Sequence, residues 1–228
     1  MSRKEPIRAP QQERSQKRVE LILNGARKVI LKKGCAGLKM GDIAKAAKIS
    51  IGSIYQYFPN KHAIIAGLAQ DYLDQFAEHV RAAVEDRPSS LDDLSARTTA
   101  LLQKYYVAHR NDPVVRDVWM GSATDKELQE IESNDTMRNL EIIFAKSDHL
   151  FPLDNHDAAK LVLFLILNFG GTAVATAVEL SEDEGRFAMS EAEKMLYAAW
   201  AVSVEPLGHP HLIHDAPDAS SKEGAPAA

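Results

Sequence analysis

Apolar residues recur at helical spacing along most of the chain. The first such stretch begins near Ser15 and carries its apolar face on Val19, Ile22, Leu23, Ala26 and Ile30. Lysines in its last turn and Gly34 directly after it predict the end of that helix. No segment alternates apolar and polar residues in the way a half-buried strand does. The pattern therefore predicts an all-α fold.

Two short helical units follow, and the turn between them is informative. Ile43, Ala44 and Ala47 mark the first unit, Lys48-Ile49-Ser50 forms a break, and the second unit spans 51–58. Two short helices joined by three residues are typical of a helix-turn-helix. We expect Ser50 to cap the second unit and Ile54 and Phe58 to anchor it. A helical hairpin without a ligand remains the alternative.

The remaining chain predicts helix after helix, in the order 61–84, from Leu91, from Pro113, around Leu128, 157–180 and 191–204. A Ser-x-x-Glu capping box at Ser190 is expected to open the last helix, and residues 182–184 are interpreted as a solvated loop. The predicted divisions are a flexible basic arm (1–14), a helix-turn-helix domain (15–61), a linking helix (61–84), a regulatory domain (85–205) and a disordered tail (206–228).

The stretch 161–178 has no charged residue, which puts it at the lower edge of the length that spans a membrane. Small and polar residues in its second half favour a helix that is buried on most sides. We therefore expect no membrane partner. Together, 157–180 and 191–204 are apolar enough to build a four-helix homodimer interface. Burial within one subunit is the alternative.

Charge is distributed unevenly along the chain. Residues 1–61 contain 14 Lys and Arg against 4 Asp and Glu, whereas residues 62–228 contain 13 against 28. A basic head on an acidic body indicates a nucleic-acid or anionic-surface partner. The single cysteine, Cys35, excludes an intrachain disulfide. Since no apolar leader segment opens the chain, we expect a cytoplasmic protein.

Enzymatic chemistry finds little support in the sequence. It has no Gly-x-Ser-x-Gly, His-Glu-x-x-His or phosphate-binding glycine loop, so we expect no catalytic residues and no cofactor. His209, His211 and His214 form a weak metal-like tract. They are better interpreted as part of the disordered tail, and no metal site is predicted.

The run from Ile43 to Lys61 closely resembles the signature of the TetR family of transcriptional regulators, above all in Ile-Tyr-Gln-Tyr-Phe-Pro-Asn-Lys (54–61). Ile22, Leu23 and Ala26 match as well, as do residues 33–34, so the resemblance covers roughly 15–68. It implies an all-α dimer that binds a near-palindromic double-stranded DNA operator through two recognition helices. It also implies release by a small-molecule effector bound in the C-terminal domain, which makes a repressor the main hypothesis.

Carried over by residue, the resemblance assigns Ile51, Gly52, Ser53, Tyr55 and Tyr57 to the DNA-contacting face and Lys61 to a phosphate. The full candidate DNA-binding set is Lys39, Lys48, Ser50, Ile51, Gly52, Ser53, Tyr55, Gln56, Tyr57 and Lys61. Two members depart from the family pattern. Lys39 replaces a capping threonine, and Lys48 replaces a turn glycine at a cost of about 1 kcal/mol if its φ is positive. Both lysines are expected to reach phosphates.

The candidate ligand-binding set combines aromatic with a few polar residues, which suits a largely apolar effector. It comprises Tyr105, Tyr106, Trp119, Met120, Phe144, Phe164, Asn168 and Thr172. Ordinary core packing is the alternative for each. His109 and Arg116 could meet an anionic group, although a solvated face is favoured. An effector-independent DNA-binding or protein-recruiting module is the competing function, and an enclosed pocket would distinguish the two.

Overall fold

The computed structural model describes residues 8–119 and 125–208, and within these ranges it contains helices and no β-strand. The all-α prediction is confirmed. Two short 3-10 turns precede α8, at Asp148–Leu150 and Leu153–Asn155. The α-helices are α1 (Arg8–Lys33), α2 (Met40–Ala47), α3 (Ile51–Tyr55), α4 (Lys61–Ala83), α5 (Leu91–Asn111), α6 (Pro113–Trp119), α7 (Lys126–Ser147), α8 (His156–Glu179), α9 (Glu182–Ser203) and α10 (Glu205–Gly208).

Helix α1 is longer than its apolar pattern predicts. It begins at Arg8, so residues 8–14, expected in a flexible arm, are helical, while residues 1–7 lie outside the described part. Pro10 does not prevent this because a proline in the first helical turn removes no helical hydrogen bond. The predicted end is confirmed. Gly34 has a φ of 69° and donates its N–H to the Ile30 carbonyl at 2.8 Å.

Helix α9 begins nine residues earlier than expected. Ser181 and Glu184 form the capping box, so the acidic residues 182–184 are its first turn and not a solvated loop, and Ser190 lies inside the helix. Acidic side chains stabilise that position because the helix N-terminus is its positive end. Residues 206–208, expected in a disordered tail, belong to α10. The three tail histidines lie outside the described residues.

The chain separates into two compact units. One contains residues up to His79 together with Lys104–Asp135, and the other contains Val80–Gln103 and the chain from Thr136. Segment 104–135 packs with the helix-turn-helix in the first of these units. Polar contacts explain this, since the Asp117 carboxylate accepts the N–H of Cys35 and the Tyr72 hydroxyl donates to Asp112 at 3.3 Å.

The first unit has a continuous apolar core beneath α2 and α3. Fully buried isoleucines from α1, α2, α3 and α4 meet there, namely Ile22, Ile43, Ile54 and Ile64. Gly25 lets α1 approach α2, because a Cβ at this position would lie 2.9 Å from the Ala47 Cβ. This packing fixes the orientation of α3.

In the second unit α8 packs along α9, with Gly170 close to Leu102. The opposite side of α8 exposes a row at four-residue spacing, Leu161, Leu165 and Phe169. The expectation that α8 is buried on most sides is therefore wrong for a single chain. Leu153–Glu179 passes the length and hydropathy criteria for a membrane span, criteria that core helices of soluble proteins also pass.

Candidate nucleic-acid interface

The turn between α2 and α3 depends on a left-handed residue. Lys48 has φ 57° and ψ 43°, and its N–H reaches the carbonyls of Ala44 and Lys45. Among the described residues it has the only non-glycine positive φ. A Cβ in this conformation crowds the carbonyl that follows it, at a cost of about 1–2 kcal/mol. The sequence predicts this cost only if the φ of Lys48 is positive, and it is positive.

Helix α3 is short and closed at both ends. The Ser50 hydroxyl accepts the N–H of Ser53 at 3.1 Å, which confirms the expected cap. At the other end, the N–H groups of Tyr57 and Phe58 both donate to the Ile54 carbonyl at 2.9 Å. The helix thus ends at Tyr55 and does not continue to Phe58. Pro59 disfavours helical backbone in the residue directly before it, Phe58, so the helix cannot run on past that residue.

One face of this unit is anchored and the other is open. Ile54 and Phe58 are buried, whereas Ile51 is 46% and Tyr55 52% exposed. Gly52 lies on the open face, and a Cβ there would meet no protein atom within 4 Å. Packing within the chain therefore does not require a glycine at this position. Of the other candidates, Ser50 and Gln56 are exposed, and Ser53 and Tyr57 are half-buried.

Exposed ammonium groups surround this face. Lys39, Lys48 and Lys61 are all exposed. Lys39 occupies the N-cap of α2 without a side-chain hydrogen bond, so the weak cap expected there is present. Lys61 is the first residue of α4, and that end is capped by Asn60, whose side-chain oxygen accepts the N–H of Ala63 at 2.8 Å. Asn60 was not singled out as a cap from the sequence.

Helix α4 is tied to α1 and to the end of α3. A Cβ at Gly67 would lie 2.9 Å from the Phe58 ring, so the missing side chain is what admits that ring. Arg27 of α1 pairs with Asp71, and its Nε donates to the Tyr72 hydroxyl at 3.3 Å. The position of α3 is therefore set by the two longest helices of this unit.

Two further contacts join distant parts of the first unit. Burial raises the pKa of the Cys35 thiol to about 12. The backbone N–H of Cys35 donates to the Asp117 carboxylate, 82 residues away. His62 lies between two carboxylates, with Nε2 on Asp125 and Nδ1 3.1 Å from Glu127. The hydrogen bond that His62 donates to the Asp125 carboxylate raises the pKa of His62. No sequence pattern predicts these contacts, because the two residues of each pair are far apart in the chain.

The candidate ligand residues are divided between the units. Tyr105 and Trp119 lie in the first unit around His109, with ring centroids 4.0 and 5.1 Å from the imidazole. His109 is only 7% exposed, so the solvated face favoured for it is wrong, whereas Arg116 is exposed. Tyr106 is buried in the same unit. Met120 lies outside the described residues.

The other four lie in the second unit. Phe144 stacks on Phe151 at 6.0 Å. Phe164, Asn168 and Thr172 follow one another at four-residue spacing on α8, where the Asn168 amide donates to the Phe164 carbonyl at 2.9 Å. The Thr172 hydroxyl similarly donates to the Asn168 carbonyl at 3.0 Å. Their own helix therefore satisfies these donors. Within the described residues, no cluster of three metal-ligating side chains occurs.

A capped two-helix unit with an open, lysine-flanked face defines a helix-turn-helix protein of the DNA-binding class. Residues 22–68 match the bacterial regulatory proteins of the tetR family, and residues 92–200 match the tetracyclin repressor-like C-terminal domain. The chain belongs to the TetR family of transcriptional regulators. The members of that family are DNA-binding transcriptional regulators and not enzymes.

Individual relatives are distant. The chain is 27% identical over 117 residues to the uncharacterized HTH-type transcriptional regulator YvdT of Bacillus subtilis, covering 50% of this chain and 57% of that protein. It spans about half the length of the curated relatives it matches. A TetR-family regulator from Streptomyces coelicolor superposes with a TM-score of 0.62 at 21% identity, over 82% of this chain and 98% of that one. FadR from Bacillus subtilis, solved in complex with stearoyl-CoA, superposes with a TM-score of 0.52 at 19% identity, over 78% and 96%.

Proposed function

We propose that the protein is a cytoplasmic repressor that binds a palindromic operator as a homodimer and leaves it when a small-molecule effector binds. The observation that carries the DNA-binding part is the open face of α3. A glycine that the protein's own packing does not need there is explained by the close approach of a DNA backbone or base edge. Exposed Lys39, Lys48 and Lys61 supply cations for phosphates.

The test replaces that glycine. We expect Gly52→Ala to weaken binding to a duplex selected from a random pool by tenfold or more, while the protein stays folded. Gly41→Ala is the matched control, because a Cβ at this position of α2 also meets no protein atom within 4 Å. Equal operator affinities for Gly52→Ala and wild type, measured at one salt concentration, would refute the assignment of α3.

Homodimer formation is supported by the apolar outer face of α8 and α9, the helices expected to form the interface. Phe169 is 59% exposed in the single chain, and Phe187, Met195 and Val202 of α9 are exposed as well. Exposed apolar rows of this size are typical of protein interfaces. Sedimentation should give twice the chain mass of 25.1 kDa.

An interface variant separates this proposal from simple surface exposure. Phe169→Glu should shift the protein toward the monomer, whereas Val107→Glu on α5 should not, although that valine is exposed to a similar extent. A dimer that persists in Phe169→Glu at micromolar concentration would contradict the proposed interface.

Release by an effector rests on family membership and on the C-terminal domain that matches residues 92–200. A dimer must hold its recognition helices about 34–36 Å apart to fill successive major grooves. An effector that binds better to a conformation with a different separation lowers the affinity for the operator. DNA lowers the affinity for the effector by the same factor. A thermal-shift screen across apolar ligands, including stearoyl-CoA, tests for such an effector.

A further inference from the structure

One buried nitrogen in the first unit has no partner. His109 is 7% exposed, and its Nε2 makes no hydrogen bond within the described part of the chain. The other ring nitrogen, Nδ1, lies 2.9 Å from the Tyr105 carbonyl oxygen. A carbonyl oxygen only accepts, so Nδ1 carries the proton of this hydrogen bond.

The state of the ring determines what Nε2 needs. Burial lowers the pKa of His109, which keeps the imidazole neutral. In a neutral ring with the proton on Nδ1, Nε2 is an acceptor with a free lone pair. Leaving a buried acceptor unpaired is costly, so a group that donates an O–H or N–H is favoured at this position.

The surroundings distinguish between kinds of donor. Tyr105 and Trp119 place their rings against the imidazole, and Phe76 packs on Tyr105 at 4.7 Å. Burial and the charges of Glu132 and Asp135 raise the pKa of Tyr105. The charge of Asp112 opposes the larger lowering of the His109 pKa by burial. An aromatic environment with acidic residues around it favours a flat, apolar molecule and disfavours an anion.

We propose that the effector is an uncharged aromatic hydroxyl compound of the phenol class, which donates its O–H to His109 Nε2 beside Tyr105 and Trp119. The proposal rests on the proposed effector-released function and names the chemistry of its ligand. A carboxylate is disfavoured at this position, because it has no proton to donate to a neutral imidazole.

The same contacts give this ligand a route to the DNA-binding face. Trp119 is the last residue of α6 and also packs edge-on against Tyr72 of α4 at 6.2 Å. Helix α6 carries Asp117, which accepts the N–H of Cys35 between α1 and α2. In the proposed mechanism, a ring that binds beside His109 shifts Trp119, and α6 passes that shift to α1 through Asp117.

Calorimetric titration of the full chain with three single-ring probes tests the proposal. Phenol donates a hydrogen bond, anisole has the same ring without a donor, and benzoate carries a charge. We expect phenol to bind at least tenfold more tightly than either of the others, a difference of about 1.4 kcal/mol. Equal affinities for phenol and anisole, as expected if a water molecule satisfies Nε2, would overturn the proposal. Tighter binding of benzoate would also overturn it.

Variants assign the effect to one nitrogen. His109→Phe should abolish the preference for phenol over anisole, and His109→Gln, whose amide oxygen accepts, should restore part of it. His149→Phe is the matched control, because both nitrogens of His149 already have partners, the Pro88 carbonyl and Arg87. Circular dichroism verifies that each variant is folded. Persistence of the preference in folded His109→Phe would refute the assignment.

Operator binding, measured on the same preparations without probe, separates the two proposals. A protein that binds the selected duplex but does not prefer phenol refutes the ligand inference alone. A protein that prefers phenol but binds no duplex refutes the repressor function alone. If both hold, saturating phenol should lower operator affinity in wild type.

Discussion

Lys48 offers a test that separates the cost of its left-handed backbone from its contact with DNA. Its φ of 57° and ψ of 43° place a residue with a Cβ in the left-handed region, which costs about 1–2 kcal/mol relative to right-handed backbone. Glycine pays no such cost but loses more backbone entropy on folding, by about 0.5–1 kcal/mol. The net expectation is that Lys48→Gly is more stable than Lys48→Ala by about 1 kcal/mol.

The comparison between these variants isolates backbone strain, because both lack the ammonium group. In thermal unfolding, the difference corresponds to about 2–4 °C for a chain of this size. Both variants should lose one phosphate contact, so the slope of log affinity against log salt should become shallower by about one in each. If Lys48→Gly is no more stable than Lys48→Ala, the strain argument is wrong. If the salt slope is unchanged, the lysine does not contact a phosphate.

Three further predictions follow from the same unit. Ser50→Ala should lower the free energy of unfolding by about 1 kcal/mol because α3 loses its cap, whereas an unchanged denaturation curve would show that the cap contributes nothing. Gly25→Ala should cost about 1–3 kcal/mol, since its methyl would press on Ala47; a stabilised variant would contradict that close approach. Asp125 raises the pKa of His62. The ion pair therefore contributes fully to the free energy of unfolding below about pH 6.5, and this contribution is lost as the pH rises through the raised pKa. His62→Gln should remove that part of the pH dependence of melting, and identical profiles would refute the ion pair.

Local signals predicted the elements of the helix-turn-helix well. Ser50 as a cap, Gly34 as a helix terminator and Ile54 as an anchor depend on interactions within a few residues, where sequence spacing and spatial distance agree. The same local reasoning misplaced the start of α9. Two Ser-x-x-Glu boxes lie nine residues apart, and the pattern alone does not say which of them caps a helix.

The candidate effector site shows the opposite limit. His109 was assigned to a solvated face, because a polar residue on a mostly polar helix usually faces water. The rings against it are Tyr105 in its own helix and Trp119 in the next helix, and the second contact depends on how the chain folds between α5 and α6. The unpaired state of Nε2, which carries the ligand inference, had no signature in the sequence.

The sequence by itself determined the fold class and the helix-turn-helix, because helical period and caps are short-range properties. It also predicts which residues of that unit face DNA. Tertiary structure alone decided which segments belong together. Segment 104–135 joins the DNA-binding unit through Asp112 and Asp117, each many residues from its partner. Such pairings depend on how the chain returns in space, and a buried carboxylate or imidazole acquires its chemistry only from the groups that this return brings beside it.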